Sequence, residues 1–128
     1  MILWSDDTTV FAGTISARGG SVSGDGGFAE VSGKEHLEMS GFADLRATNG
    51  AFGHLLLDPG SVTIQDGADT GPPPAMNAFN DAWIASQLGL SSLTIATSDS
   101  NDGGTETITV NGTVEIVWNT PTNLTLEA

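Results

Sequence analysis

Apolar and polar residues alternate with a period of two in several short stretches of the chain. A period of two places one side of each stretch against a core, as in a half-buried β-strand. The pattern therefore predicts at least seven short strands separated by glycine-rich turns. The alternating stretches are 10–17, 28–32, 36–47, 54–64, 92–97, 107–118 and 123–128.

The segment 66–91 breaks this pattern. Three consecutive prolines, 72–74, end sheet pairing there because proline cannot donate to a strand ladder. Apolar residues then recur at helical intervals, which predicts a short amphipathic helix over 76–88 that caps the strands rather than lining a ligand pocket. The residues at these intervals are Met76, Phe79, Trp83, Ile84 and Leu88.

The first strand block also repeats itself. Gly13 and Gly41 are 28 residues apart and Gly20 and Gly50 are 30 apart, and periods of about 20–50 residues are typical of stacked repeats. A solenoid of parallel strands is the fold that we predict. The second block is less regular, so a β-sandwich stays open as the alternative. Its expected inward residues are Leu93, Ile95, Ile108, Val110, Val114, Ile116, Leu124 and Leu126.

Charge and composition exclude several classes of function. The formal charge is −13, with 16 acidic residues against three basic ones, which disfavours binding to nucleic acid or to anionic membranes. The chain contains no cysteine, and no stretch approaches the length of an apolar membrane helix. The first ten residues lack the features of a signal peptide, so a signal, if the protein is exported, lies outside this chain.

The ordered motifs in residues 2–64 carry a family resemblance. "LW", "TTVFAGTISARGG", "GDGGFAEVSGK", "LLLDP" and "VTI" follow one another there. This order resembles the repeats of filamentous haemagglutinin-like exoproteins, the large two-partner-secreted adhesins of Gram-negative bacteria. Residues 84–128 resemble the more degenerate coils of such proteins.

The resemblance implies a right-handed parallel β-helix segment with a short helical excursion. It divides the single unit 1–128 into well-matched coils at 1–65, a proline-marked excursion at 66–91 and degenerate coils at 92–128. The implied function is a non-catalytic shaft or display segment of an adhesin at the outer surface of a Gram-negative cell. The implied partners are neighbouring coils of a longer parent protein and a host-cell or glycan receptor, with no cofactor.

The resemblance also assigns structural roles within the motifs. Gly26 and Gly27 would form a tight turn, Phe28 and Val31 would pack inward, and Ser32 and Gly33 would form the next corner. Strict alternation conflicts with this assignment, so we expect a bulge near Ala29 and Glu30. The remaining motif residues are Leu55, Leu56, Leu57, Asp58 and Pro59, with a corner expected at Asp58 and Pro59 because proline stops ladder pairing.

The chain departs from that family in lacking the amino-terminal secretion domain. Met1 also stands just before a motif that normally begins within a coil. We therefore expect an excised piece of a longer protein, whose strand edges would be exposed at its ends.

Candidate catalytic and metal-binding residues are few. Glu30 would serve as a general acid or base only beside a second carboxylate, for which Asp25 and Glu35 are nearest in sequence. The acidic loops 19–27 and 99–104 contain oxygen ligands suited to calcium but lack its tandem motif. His36 and His54 have no further histidine or cysteine to complete a zinc site.

Three classes of function follow from these residues. The first is the non-catalytic adhesin segment, and the second is a calcium-stabilised carbohydrate-binding module. The third is a polysaccharide-active enzyme, which the small number of basic residues disfavours. Trp4, Trp83 and Trp118 are the candidates for surface contact with a glycan, because exposed aromatic faces stack on sugar rings.

Overall fold

The computed structural model describes residues 1–73, 75–97 and 104–128, and it consists mostly of β-strands with one short helix. The strands are β1 (Ile2–Ser5), β2 (Thr8–Phe11), β3 (Thr14–Ser16), β4 (Phe28–Gly33), β5 (His36–Met39), β6 (Phe42–Asp44), β7 (His54–Pro59), β8 (Val62–Gln65), β9 (Ala78–Asn80), β10 (Ser92–Ala96), β11 (Ile108–Val110) and β12 (Leu124–Glu127). The helix α1 spans Asp81–Leu88. All the alternating stretches contain strands, whereas β1 and β9 were not predicted.

Consecutive strands lie in different sheets, except for β8 and β9, and the chain returns to each sheet in the parallel direction. The largest sheet has the order β1-β4-β7-β10-β12, and smaller sheets pair β2 with β5, β3 with β6, and β8 with both β9 and β11. Every strand pair among the described residues is parallel. This pairing is inconsistent with the alternative of a β-sandwich, whose strands are antiparallel.

The first returns have a constant length. Ile2 lies opposite Glu30, Thr8 opposite His36 and Thr14 opposite Phe42, so the partner is always 28 residues further along the chain. The 28-residue spacing of Gly13 and Gly41 is therefore the register of these sheets. The return from β7 to β10 is longer, with Ser92 opposite His54, because the segment 66–91 lies between them.

The core is built from columns of aliphatic side chains that repeat from strand to strand. One column in the largest sheet contains Leu3, Val31, Leu57, Ile95 and Leu126. Its middle members are fully buried, whereas Leu126 in the outermost strand is 42% exposed. Equivalent positions on neighbouring strands thus place apolar side chains against one another. The burial of these side chains is the main favourable contribution to the stability of the fold.

The segment 66–91 adds a strand and a helix to this core. β9 pairs with β8, and the Asn77 main chain bridges two sheets, donating from its N–H to Leu37 O and accepting from Thr63 N–H. The predicted helix over 76–88 was thus too long, because Phe79 belongs to β9 and α1 begins only at Asp81. The helical spacing was real but covered a strand as well as a helix.

The stretch 107–118 also differs from the prediction. Only Ile108–Val110 forms a strand, and the residues that follow have no strand pairing. Val114 and Ile116 nevertheless pack against the core as expected, while Val110 is exposed. Alternation therefore identified inward residues where no ladder formed.

Candidate functional site

The outer face of the largest sheet is the most distinctive surface of the molecule. Alternate residues of its strands point away from the core, and the parallel register aligns them in rows across the sheet. One row runs from Ile2 through Glu30 and Leu56 to Thr94. In the next row Trp4 lies opposite Ser32.

Glu30 lies among apolar side chains on this face. Ile2 and Leu56 are its register partners on the two neighbouring strands, Phe28 precedes it by two residues, and Trp4 lies one diagonal step away. We refer to Ile2, Trp4, Phe28, Glu30 and Leu56 as the Glu30 face. Three of its members are exposed, Ile2 by 65%, Trp4 by 57% and Phe28 by 47%, so the sheet presents large apolar groups to solvent around one carboxylate.

A hydrogen bond fixes the position of the Glu30 carboxylate. Ser32 Oγ donates to Glu30 Oε1 over 2.8 Å. The two carboxylates that were candidates for a catalytic pair lie elsewhere. Asp25 is in the loop before β4, where its Oδ1 accepts from Ala51 N–H, and Glu35 lies beyond the other end of the strand. The structure therefore does not place either candidate carboxylate beside Glu30 on this face.

The placement of Phe28, Ser32 and Gly33 corrects the prediction. β4 pairs with β7 without interruption from Phe28 to Gly33, so the expected bulge is absent and strict alternation places Phe28 outward. Its ring stacks on His54, with centroids 6.4 Å apart. Ser32 and Gly33 are buried within β4 instead of forming the corner, which comes at residues 34–35.

The other motif residues occupy regular positions. Val31, Leu55 and Leu57 are fully buried, while Leu56 lies on the outer face. Gly26 and Gly27 lie in the loop before β4, and a Cβ at Gly26 would overlap the Leu45 carbonyl oxygen. Close backbone approach, and not a turn, is thus the reason for glycine at position 26.

Asp58 and Pro59 end β7 but do not interrupt it. They lie opposite Ser32 and Gly33 of β4 and belong to the strand, whose corner follows at residues 60–61. The expected stop of pairing before Pro59 was wrong on the β4 side. On the β10 side, the register does end at Leu57.

The three tryptophans have different environments. Trp83 is only 4% exposed, donates from Nε1 to Gly41 O over 3.1 Å and stacks on Phe42. It is therefore a core residue, and its candidacy for surface binding was wrong. Trp118 is 37% exposed and donates to Thr122 O, while Trp4 is the most exposed of the three.

Metal-binding chemistry finds little support among the described residues. Across 1–73, 75–97 and 104–128, no group of three or more histidine, aspartate or glutamate side chains could hold a metal ion. In loop 19–27 the Asp25 carboxylate is used by Ala51 N–H. Most of the second acidic loop, 99–103, lies outside the described residues. His36 is exposed, and His54 Nε2 lies 2.7 Å from Thr94 Oγ1.

Two of the three basic residues surround one aspartate. Arg46 binds Asp44 through two contacts of 2.8 Å, and Arg18 Nε lies 3.7 Å from the same carboxylate. The hydrogen bonds from Arg46 lower the pKa of Asp44 and raise that of the guanidinium. The 28-residue register places Arg18 above Arg46, so this cluster links two successive returns of the chain.

Three polar residues in the segment 66–91 hold it in place, and none was singled out from the sequence. Gln87 binds both main-chain groups of Ala43, Asn77 accepts from Leu37 N–H through Oδ1, and Asp81 accepts three main-chain N–H groups. Amides and acids within an apolar helical pattern look like solvent-facing positions. A signal for Gln87 was its spacing, three residues after Ile84 on the apolar side.

The same segment forms a small recess. Its walls include Met39, Phe79, Asn80 and Trp83, and its volume is about 10 Å³, about the room that one water molecule needs. Ligand pockets usually measure about 300–1,000 Å³. The recess is thus too small to be the main site, and the Glu30 face is the better candidate.

Comparisons of the chain with protein-family models, with curated proteins and with solved structures found no match. Among the described residues, the helix is too short to cross a membrane.

Proposed function

We propose that the chain is a segment of a right-handed parallel β-helix that serves as a non-catalytic shaft or display element of a secreted bacterial surface adhesin. The observation that supports this most is the parallel return of the chain to the same sheets, with a 28-residue register that holds in three of them at once. A chain that stacks equivalent strands in this way builds a rigid, quasi-one-dimensional body.

The columns of core side chains favour a supporting role. Buried positions are occupied by aliphatic residues at successive returns, which leaves the outer faces and loops free to vary. A support of this kind needs neighbouring coils of a longer parent protein to continue its ladders. Its place would be the outer face of a Gram-negative cell, where a host-cell or glycan receptor meets it.

Surface labelling tests this function directly. Antibodies raised against the purified chain are applied to intact and to permeabilised cells that produce the protein, with a cytoplasmic protein as the control. We expect labelling of intact cells and its loss after protease treatment. Labelling that requires permeabilisation would overturn the proposal of a surface adhesin.

The fold and the absence of catalysis need separate measurements. A crystal structure in which the chain winds left-handed, or in which the sheets do not enclose one continuous core, would contradict the β-helix. Turnover of acidic or neutral polysaccharides by the purified chain would contradict the non-catalytic role.

Calcium distinguishes the shaft from a calcium-stabilised module. Thermal unfolding followed by far-ultraviolet circular dichroism is compared with calcium and with chelator. We expect the same Tm in both, because the described residues contain no cluster of three acidic or histidine ligands. A Tm raised by calcium would instead indicate binding to the native state.

A further inference from the structure

The Glu30 face combines a fixed carboxylate with exposed apolar groups. Neighbouring strands are about 4.8 Å apart and alternate residues of one strand about 6.6 Å apart, so the apolar side chains of Ile2, Phe28 and Leu56 can all reach Glu30. Trp4 lies on the diagonal, at a distance that a large aromatic side chain spans. The Ser32 hydroxyl holds the carboxylate by one oxygen, Oε1.

A long basic side chain matches this arrangement in each of its parts. Its charge would pair with Glu30, while its methylene stem would cover Ile2 and Leu56. The face of Trp4, and the face of Phe28 that does not stack on His54, attract a cation placed over them, by about 0.5–1 kcal/mol at exposed sites. Apolar surroundings also strengthen the ion pair, because they exclude water from it.

The amino group of Met1 lies at the edge of this face, where it donates to Phe28 O over 2.9 Å. None of the five strands of the sheet contains lysine or arginine, whereas Glu30, Asp58 and Glu127 are acidic. A second copy of the chain would bring the same acidic face and a further charge of −13, so self-association through this surface is disfavoured. Charge complementarity therefore points to a different, basic partner.

We propose that the Glu30 face is a docking site for a lysine or arginine side chain carried by a partner protein. The shaft function needs no such site, so this inference goes beyond it. The face points sideways from the strands, and coils added above β1 or below β12 would leave it accessible.

A peptide titration tests the proposal. The probe is a short synthetic peptide that alternates valine with arginine, and the reference is the same peptide with glutamate in place of arginine. Binding to the ¹⁵N-labelled protein is followed by NMR at low salt. We expect the basic peptide to shift the signals of Ile2, Trp4, Phe28 and Leu56, and the acidic peptide to shift none of them.

Matched variants separate this site from the overall negative charge. Glu30→Gln and Glu127→Gln each remove one charge from the same sheet, but only Glu30 lies within the apolar frame. We expect Glu30→Gln to weaken binding about tenfold, and Glu127→Gln by less than twofold. Trp4→Ser should weaken binding several-fold, while Val117→Ser, at another exposed apolar residue, should not.

Three outcomes of the titrations would overturn the proposal. They are equal weakening by both glutamine variants, equal binding of the acidic peptide, and shifts that map to acidic loops away from the Glu30 face. Dimerisation through these residues in sedimentation experiments would assign the face to a second copy instead. If Glu30→Gln did not fold, the unmodified protein would still test the proposal. The signals that the basic peptide shifts should then belong to the Glu30 face, and these shifts should disappear in high salt.

Discussion

Gln87 makes with one side chain the hydrogen bonds that a neighbouring strand would otherwise provide. Its Oε1 accepts from Ala43 N–H over 3.0 Å, and its Nε2 donates to Ala43 O and to Ser91 Oγ, each over 2.8 Å. The residue is fully buried. A side-chain amide has one acceptor and one donor group in the same spacing as a peptide, which is why it can complete a strand edge.

Replacing Gln87 by leucine should therefore be costly. The change keeps the volume but leaves the N–H and C=O of Ala43 buried without partners, at about 1–3 kcal/mol each. We expect the free energy of unfolding to fall by about 2–5 kcal/mol in urea titrations. Gln65→Leu is the control, because Gln65 is only half-buried and bonds another side chain. Equal losses in the two variants would show that Gln87 has no special role.

Asp81 makes the stability depend on acid pH. Its carboxylate accepts from the N–H groups of Glu115, Gly67 and Ala82. The hydrogen bond from Glu115 is the largest cause of its lowered pKa. A carboxyl whose pKa is lower in the folded state contributes stability at pH values above its unfolded pKa, about 3.9, and loses it as the pH falls through the folded value.

We thus expect the free energy of unfolding to decline below about pH 4. Asp81→Asn should lower it at pH 7 and flatten its decline in acid, whereas Asp66→Asn, at an exposed position, should do neither. The measurement is the urea midpoint between pH 2.5 and pH 7. Asp44 shares the direction of shift, through Arg46, so some decline should persist in the Asp81 variant. If the free energy of unfolding of Asp81→Asn declined in acid as steeply as that of the unmodified protein, Asp81 would not be a source of the pH dependence.

At the scale of elements, the segment 66–91 takes the place of strands at the edges of β5 and β6. At the edge of β5, Asn77 Oδ1 accepts from Leu37 N–H over 2.6 Å and Asn77 Nδ2 donates to Glu35 O over 2.9 Å. At the edge of β6, Gln87 donates to Ala43 O, and Trp83 donates to Gly41 O just before the strand. Two hydroxyls, of Thr120 and Thr122, then donate to Leu88 O at the end of α1. The segment is thus an integral part of the stack.

The backbone of Asn77 allows this attachment to be tested. It has a φ of 57°, in the left-handed region that asparagine and glycine tolerate best. Asn77→Gly loses the side-chain hydrogen bonds, and Asn77→Ala loses them and also strains the backbone by about 1–2 kcal/mol. We expect both to be destabilised in urea titrations, with alanine the worse of the two. Equal losses of unfolding free energy in Asn77→Ala and Asn77→Gly would mean that the left-handed conformation relaxes in the alanine variant.

Alternation predicted the strands well because most of them bury one face and expose the other. It missed β1, whose outward residues Ile2 and Trp4 are as apolar as the inward Leu3. The inward assignment of Phe28 came from the family resemblance, whereas alternation itself places Phe28 outward, as the structure does. The identity of a large apolar residue does not show whether its side chain faces the core or the solvent. Gln87 was missed for the converse reason, since a buried amide looks like a surface residue until its partner 44 residues away is known.

For the whole molecule, the stacking of strands implies that stability varies from strand to strand. β7 has a neighbour on both sides and its inward residues Leu55 and Leu57 are fully buried. β1 and β12 are the outermost strands of the sheet, and the core column ends there in the half-buried Leu3 and the exposed Leu126. Residues with fewer buried contacts open with a smaller free-energy cost.

Native-state hydrogen exchange should reveal this gradient. We expect the Leu55 and Leu57 amides to exchange only through global unfolding, and those of Leu3 and Thr125 through local opening at a lower free energy. Measuring exchange at increasing urea concentration distinguishes the two, because only global opening depends steeply on urea. Attaching further coils to β12 should then protect Thr125 without altering Leu57. Uniform protection in the isolated chain would instead mean that it unfolds as one cooperative unit, with edges as stable as its centre.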